Sequence, residues 1–298
     1  MSHRLSVVAS VLATSLLSIS AHALPFTPVI DEFWIMKRIA PDDPVTEIFR
    51  DSFSDGAVPP SGPDGAATYG MFGPGGMTGE AGGKLTMTPS LGESVLITAT
   101  FADLSTVASR TLATNSANPN FLGQDSSFEI HGLYDLSILP GVGGQGFGIR
   151  ATDRAPPLSN PGDNTVQLNV GVNAVTGDVS VILRLLDFAA NTSTLIEIFS
   201  IESLLLLPGA DQIELILSKA LDSDQVAAFF VIYGSGNPTF TVAMTKTVTI
   251  YVGEDYIRGA FESLDRVPIP EPVGLALFGL GLAGIGIIRR RRRTNGPH

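Results

Sequence analysis

Between residues 94 and 252, apolar and polar positions alternate in short runs divided by turn formers. In Val166-Gln-Leu-Asn-Val-Gly-Val172 the apolar side chains fall on every second position, the pattern of a strand that buries one face. Glu197 between Ile196 and Ile198, and Glu214 between Ile213 and Leu215, repeat it. The pattern predicts strands at Ser94–Phe101, Ser127–Tyr134, Gly146–Ala151, Val166–Val172, Val179–Phe188, Leu195–Ile201, Gln212–Ser218, Val226–Tyr233, Phe240–Met244 and Val248–Val252. β-Branched and aromatic residues dominate these runs, as a half-buried pleated surface requires. Turns are predicted at Val175-Thr-Gly-Asp178, Pro208-Gly209 and Gly234-Ser-Gly-Asn-Pro238, where glycine, proline and asparagine supply the special dihedral angles. No stretch keeps a helical period beyond a turn or two.

Strands repeating at intervals of roughly 8–14 residues predict an all-β fold, an antiparallel two-sheet sandwich. The sandwich is expected over residues 50–265, with residues 24–49 leaving room for one short N-terminal strand. Val58–Gly83 holds nine glycines and four prolines and reads as a long loop or sheet edge. No internal repeat is present. The opening Phe49-Arg-Asp-Ser-Phe-Ser-Asp-Gly56 with Pro59-Pro60, and the later pair Ile213–Lys219 and Gln225–Ile232, resemble a jelly roll of the concanavalin A/laminin-G kind.

The two ends follow a different logic. His3 and Arg4 precede an apolar run, Leu5–Leu17, broken only by serine and threonine, and Ala21-His-Ala23 follows. A short hydrophobic core with small residues at −3 and −1 marks residues 1–23 as a secretory signal peptide, with Ala21 and Ala23 forming the signal-peptidase site. At the other end, Pro270-Glu-Pro272 leads into Val273–Ile288, 16 residues without charge, and then into Arg289–Arg293. At about 1.5 Å per residue this gives roughly 24 Å of helix, slightly short of the ~30 Å hydrocarbon core. Snorkelling by Arg289 narrows that gap. A single apolar span backed by Arg289, Arg290, Arg291, Arg292 and Arg293 keeps the arginines cytoplasmic and places residues 24–272 outside the inner membrane.

These elements, in this order, resemble the PEP-CTERM sorting signal of Gram-negative bacteria that make exopolysaccharide. The resemblance covers residues 266–298. It implies that exosortase, a membrane-embedded transpeptidase, recognises Pro270, Glu271 and Pro272, and that the transmembrane helix 273–288 and the basic stop leave with the tail. Val273 stands where small or hydroxyl residues are frequent, and Thr294–His298 trail the arginines. The proline pair has its own physical sense: it fixes φ on both sides of Glu271 and holds the segment extended, ready for an enzyme at the membrane surface. The implied partners are signal peptidase, the export machinery, exosortase and the exopolysaccharide. The implied location is the inner membrane transiently, then the cell surface or the biofilm matrix.

Charge narrows the function further. Between Leu24 and Pro270 there are 12 basic residues against 28 acidic ones, a formal charge of −16. Such a surface repels nucleic acid, so no nucleic-acid partner is expected. The chain has no cysteine, which excludes disulfides and thiolate chemistry.

Candidate catalytic groups are sparse. Of four histidines, His3, His22 and His298 lie in the two sorting segments, leaving His131. Ser127-Phe-Glu-Ile-His-Gly132 places Glu129 and His131 on one face of a strand; a half-exposed strand gives the same pattern. A glycosidase needs two carboxylates about 5–10 Å apart in a cleft; family sequences of the jelly-roll kind that this chain resembles carry them on a compact Glu-x-Asp-x-x-Glu strand, and no such run occurs here. Trp34, the one tryptophan, precedes the strand-rich stretch, and Tyr134, Tyr233, Tyr251 and Tyr256 are candidate sugar contacts. Asp153, Asp163 and Asn164, and separately Asp222 and Asp224, are candidate calcium ligands in loops. The expected protein is a non-enzymatic surface or matrix component, weakly carbohydrate-binding, without an obligatory cofactor. Its alternatives are a secreted polysaccharide-active enzyme and a permanently anchored single-pass protein.

Overall fold

A computed structural model describes residues 26–38, 40–56, 67–72, 77–89, 93–101, 122–123, 126–152, 164–187, 190–249 and 256–265. The chain is all-β, built as two antiparallel sheets. One sheet runs in the order β15 (Asn237–Thr249), β14 (Gln225–Gly234), β13 (Ala210–Lys219), β8 (Ser127–Asp135), β1 (Val29–Arg38), β5 (Leu85–Thr88) and β4 (Met77–Glu80). β2 (Thr46–Asp51) shares an edge of β1 with β5. The other sheet runs β12 (Thr192–Ser200), β11 (Val179–Asp187), β10 (Asn164–Val172), β9 (Gln145–Thr152), β16 (Tyr256–Asp265), β6 (Glu93–Phe101) and β3 (Ala67–Phe72), with β7 (Leu122–Gly123) also on β16.

The sheets face each other across an aromatic core. Phe33 meets Phe261 at 5.1 Å between ring centroids, Tyr134 meets Phe147 at 4.7 Å and Phe199 meets Phe230 at 5.4 Å. Alternation sends Ile213, Leu215 and Leu217 of β13, and Val166, Leu168 and Val170 of β10, into this layer, all fully buried. Phe49 and Phe53, from the run that opens the sandwich, join it: Phe49 packs on Phe33 and Phe53 on Phe261. Phe53 holds φ 51°, a left-handed conformation, and its N–H donates to Asp51 Oδ1 at 2.8 Å. Burial of the whole ring offsets the local strain.

The predicted strands at 94–101 and 127–244 are all present, and the strand expected at 240–244 runs on through the start of the one expected at 248–252 as one 13-residue strand, β15, residues 250–252 lying outside the described residues. β14 and β15 are joined by Ser235-Gly236, both at positive φ, the two-residue hairpin geometry whose twist matches the strands. The glycine-rich 58–83 region supplies β3 and β4 at the far ends of the two sheets. The structure differs from the sequence reading at its margins. The N-terminal segment gives two strands, with β1 in mid-sheet, and Trp34 sits inside β1. β16 occupies the middle of its sheet, between β9 and β6. One helical turn, Glu202–Leu205, links β12 to β13 and seats Leu204 in the core.

At the edge formed by β12 and β15, Glu197 crosses from one sheet to the other. Its carboxylate accepts the Thr245 hydroxyl at 2.6 Å and the Lys246 N–H at 3.0 Å. A charged side chain on an edge donor blocks strand addition there. Ala21, Ala23, Pro270, Glu271, Pro272 and Arg289–Arg293 lie outside the described residues. Among the described residues no helix is long and apolar enough to cross a membrane.

Candidate functional site

The outward face of the β1 sheet carries a diagonal polar row that crosses four strands. Strand alternation puts Trp34 of β1, Glu129 and His131 of β8, Glu214 and Ser218 of β13, and Tyr233 of β14 on that face. Register then brings them together, because Trp34 pairs with His131 and Glu214 lies one step diagonally from both His131 and Tyr233. Tyr233 donates its hydroxyl proton to Glu214 Oε2 at 2.5 Å. Glu214 Oε1 meets His131 Nδ1 at 2.7 Å, and His131 Nε2 meets Glu129 Oε2 at 3.2 Å. Ser218 donates to Glu129 Oε1 at 3.4 Å.

Trp34 closes the row. Its ring stacks on His131 at 4.6 Å and 11°, and the Arg50 guanidinium lies 4.6 Å from its centroid. Arg50 on β2 and His131 on β8 stand directly opposite Trp34 from its two neighbouring strands, so the indole is held between a guanidinium and an imidazole. Arg50 is fixed in turn by Glu32 and by Glu47, the latter at 2.8 Å. An indole covered in this way offers no open platform to a sugar ring.

The electrostatics follow from the contacts. Burial disfavours the charged form of His131, but hydrogen bonds to Glu129 and Glu214 outweigh it and raise its pKa. The bond to His131 lowers the Glu129 pKa. Burial works against ionisation of Glu214, yet His131 and Tyr233 together lower its pKa. Burial and the Glu214 carboxylate push Tyr233 up to about 12. The row is therefore a carboxylate–imidazole–carboxylate strut whose contacts favour the charged form of each member.

The strut predicts a stability plateau. Raised in the fold, His131 contributes fully below its ordinary value of 6.5, and that contribution fades as pH rises through its folded value. Lowered in the fold, Glu129 and Glu214 contribute fully above 4.5 and lose it as pH falls through their folded values. Urea denaturation across pH should place the row's maximum between these limits. His131→Gln should flatten the decline on the alkaline side, and a profile unchanged by that substitution would refute the assignment.

At one end the row opens on a cavity of about 190 Å³. It lies where β1 ends, β8 begins and β13 ends, and is lined by Met36, Lys37, Arg38, Val45, Ser127, Phe128, Glu129, Ser218, Lys219 and Ala220. Glu129 belongs to both features: its side chain is 47% exposed, against 8% for Glu214. Lys219 Nζ donates to the Ser126 and Ala220 carbonyls at 2.6 and 3.1 Å.

The sequence candidates divide accordingly. Glu129 and His131 share a face as expected, and the fold adds Glu214, Tyr233, Trp34 and Arg50. Glu214 was legible as an outward position between Ile213 and Leu215; nothing in sequence tied it to His131, 83 residues away. Tyr134 is core: its ring is fully buried and its hydroxyl donates to the Gly148 carbonyl. Tyr251, Asp153 and Asp163 lie outside the described residues, as do the side chains of Tyr256 and Asn164. Asp222 and Asp224 are exposed in the turn before β14. Among the described residues no group of three or more histidine, aspartate or glutamate side chains is arranged to hold a metal ion. Neither a known family model nor a curated protein matches the chain.

Proposed function

We propose that this is an exported protein of the cell surface or extracellular matrix, sorted through a PEP-CTERM tail, with a jelly-roll body that binds polysaccharide weakly and without catalysis. The observation that carries the reading is the order of Pro270-Glu-Pro272, the uncharged Val273–Ile288 and Arg289–Arg293 at the chain's end. Signal peptidase acts at Ala23, exosortase at the proline–glutamate–proline site, and the apolar segment holds the chain at the inner membrane in between.

The body supports a binding role over glycoside hydrolysis. A glycosidase needs two carboxyl groups facing one another across a sugar. Here the carboxylates of Glu129 and Glu214 flank an imidazole, and both Glu214 oxygens are engaged by Tyr233 and His131. Glu129, held by His131 and Ser218, is the exposed carboxyl group at the cavity mouth.

The test is mass spectrometry of both termini from the native host, beside a Glu271→Ala variant. The wild-type protein should begin near Leu24 and end near the tripeptide, whereas the variant should collect in the inner membrane with Arg289–Arg293 intact. Equal full-length accumulation of both would instead identify a permanent single-pass anchor.

A further inference from the structure

Among the described strands the longest lies at an edge. β15 ends the order of its sheet, and no described strand pairs with its outer side. Alternate N–H and C=O groups of such a strand point away from the sheet and offer themselves to another chain. The opposite edge of the same sheet is blunted by shortness, since β4 has four residues. β15 is protected at two points only. Pro238 has no N–H to offer, and Glu197 occupies the Lys246 N–H and the Thr245 hydroxyl. Between them runs Thr239-Phe-Thr-Val-Ala-Met-Thr245, free of charge, proline and glycine. That composition favours strand addition at an open edge.

The window is complementary to itself. Phe240, Val242 and Met244 pack against the core, Met244 buried and the other two only partly so. Thr239, Thr241, Ala243 and Thr245 are exposed on the other face. A second copy laid antiparallel about a two-fold axis at Val242 sets Phe240 opposite Met244 and Val242 opposite itself. The same axis sets Thr239 opposite Thr245 and Thr241 opposite Ala243. Apolar side chains then meet on the inner face and small ones on the outer face. A shift one way carries the strands onto Pro238, and a shift the other way carries them onto the occupied Lys246 N–H. Charge points to the same place. Residues 24–270 carry 28 acids to 12 bases, so two bodies repel over most of their surfaces, whereas β15 holds no acid and one lysine.

We infer that a second copy of this chain docks on this edge, β15 pairing with β15 antiparallel about Val242 so that two sheets become one. Seven residues at about 3.3 Å each span roughly 23 Å, a short interface that belongs with weak, reversible association. The inference does not depend on the sorting or polysaccharide readings.

The test is sedimentation equilibrium of the full chain in density-matched detergent, where the wild type should dimerise reversibly. Thr241→Lys/Ala243→Lys sets lysine opposite lysine at two symmetric pairs and should raise the dissociation constant about tenfold or more. Thr241→Lys/Ala243→Glu sets lysine opposite glutamate at the same pairs and should restore wild-type affinity or better. Both positions are exposed, so both variants should keep the wild-type melting temperature. A cross-link gives a second measurement without added charge. The chain has no cysteine, so Val242→Cys introduces a lone thiol facing its copy, within disulfide reach. It should form covalent dimers in air, and Thr249→Cys, beyond the window, should not.

A wild type that stays monomeric into the millimolar range would overturn the inference. Undiminished dimerisation of the lysine–lysine variant would place association elsewhere, the apolar Val273–Ile288 segment included. Loss of the dimer in both charged variants, or equal cross-linking from both cysteines, would refute the register about Val242. Open filaments in place of dimers would refute the two-fold axis.

Discussion

Glu262→Ala is expected to lower stability by about 3–5 kcal/mol, because it leaves the guanidinium of Arg150 buried without its counter-ion. Glu262 is fully buried and Arg150 is 6% exposed. They form an ion pair on the face of β9 and β16 turned away from the aromatic core, and the Gln167 side-chain amide donates to the same carboxylate. Opposite charges in a poor dielectric attract strongly, but both paid a desolvation cost to be there. Removing one partner keeps the cost and loses the attraction. In urea denaturation the midpoint should fall at constant slope, and the melting temperature should drop by roughly 6–20 °C. The double variant Arg150→Met/Glu262→Leu should recover most of the loss, since it removes both desolvation costs together. A Glu262→Ala cost below about 1 kcal/mol, the range of a solvated pair, would show that water reaches this face.

Gly148→Ala is expected to cost about 3 kcal/mol or more, at the upper end of overpacking effects. A Cβ at Gly148 would stand 2.3 Å from the Leu168 carbonyl oxygen and 2.6 Å from the Asn169 Cα. Both are backbone atoms of β10, which no rotamer change can move. Relief would require separating β9 from β10, and the Gly148 carbonyl also accepts the hydrogen bond of buried Tyr134. Gly79→Ala is the control: a Cβ there meets nothing within 4 Å, and its effect should stay within about 0.5 kcal/mol. Similar effects from the two alanines, measured by thermal denaturation, would refute the packing argument.

How much of the fold was legible depended on whether a strand has one dry face. β10 and β13 show clean alternation because their inward residues are aliphatic. β16 hides the signal: its inward side carries Gly259, Phe261 and Ser263, and its outward side buries Glu262, so hydrophobicity does not track burial. β1 hides it differently. Buried Asp31 and Lys37 sit among its apolar residues, and its register shifts between Ile30 and Glu32 and again between Ile35 and Met36. A bulge breaks the two-residue period on which the reading depends.

The candidate site shows the same division. Glu129 and His131 could be placed on one face because they are two residues apart in a strand. Trp34, Glu214 and Tyr233 join them through register between strands far apart in the chain, and register is fixed by the whole sheet.

Local order along the chain thus determined the all-β class, most turns, the acid excess and the proline–apolar–arginine tail. Each of these depends on near neighbours or on bulk composition. The central positions of β1 and β16, the indole held between Arg50 and His131, and the cation-lined cavity beside Glu129 were decided by the tertiary structure. Pairing between distant strands sets which side chains meet, and no local run of residues encodes that geometry.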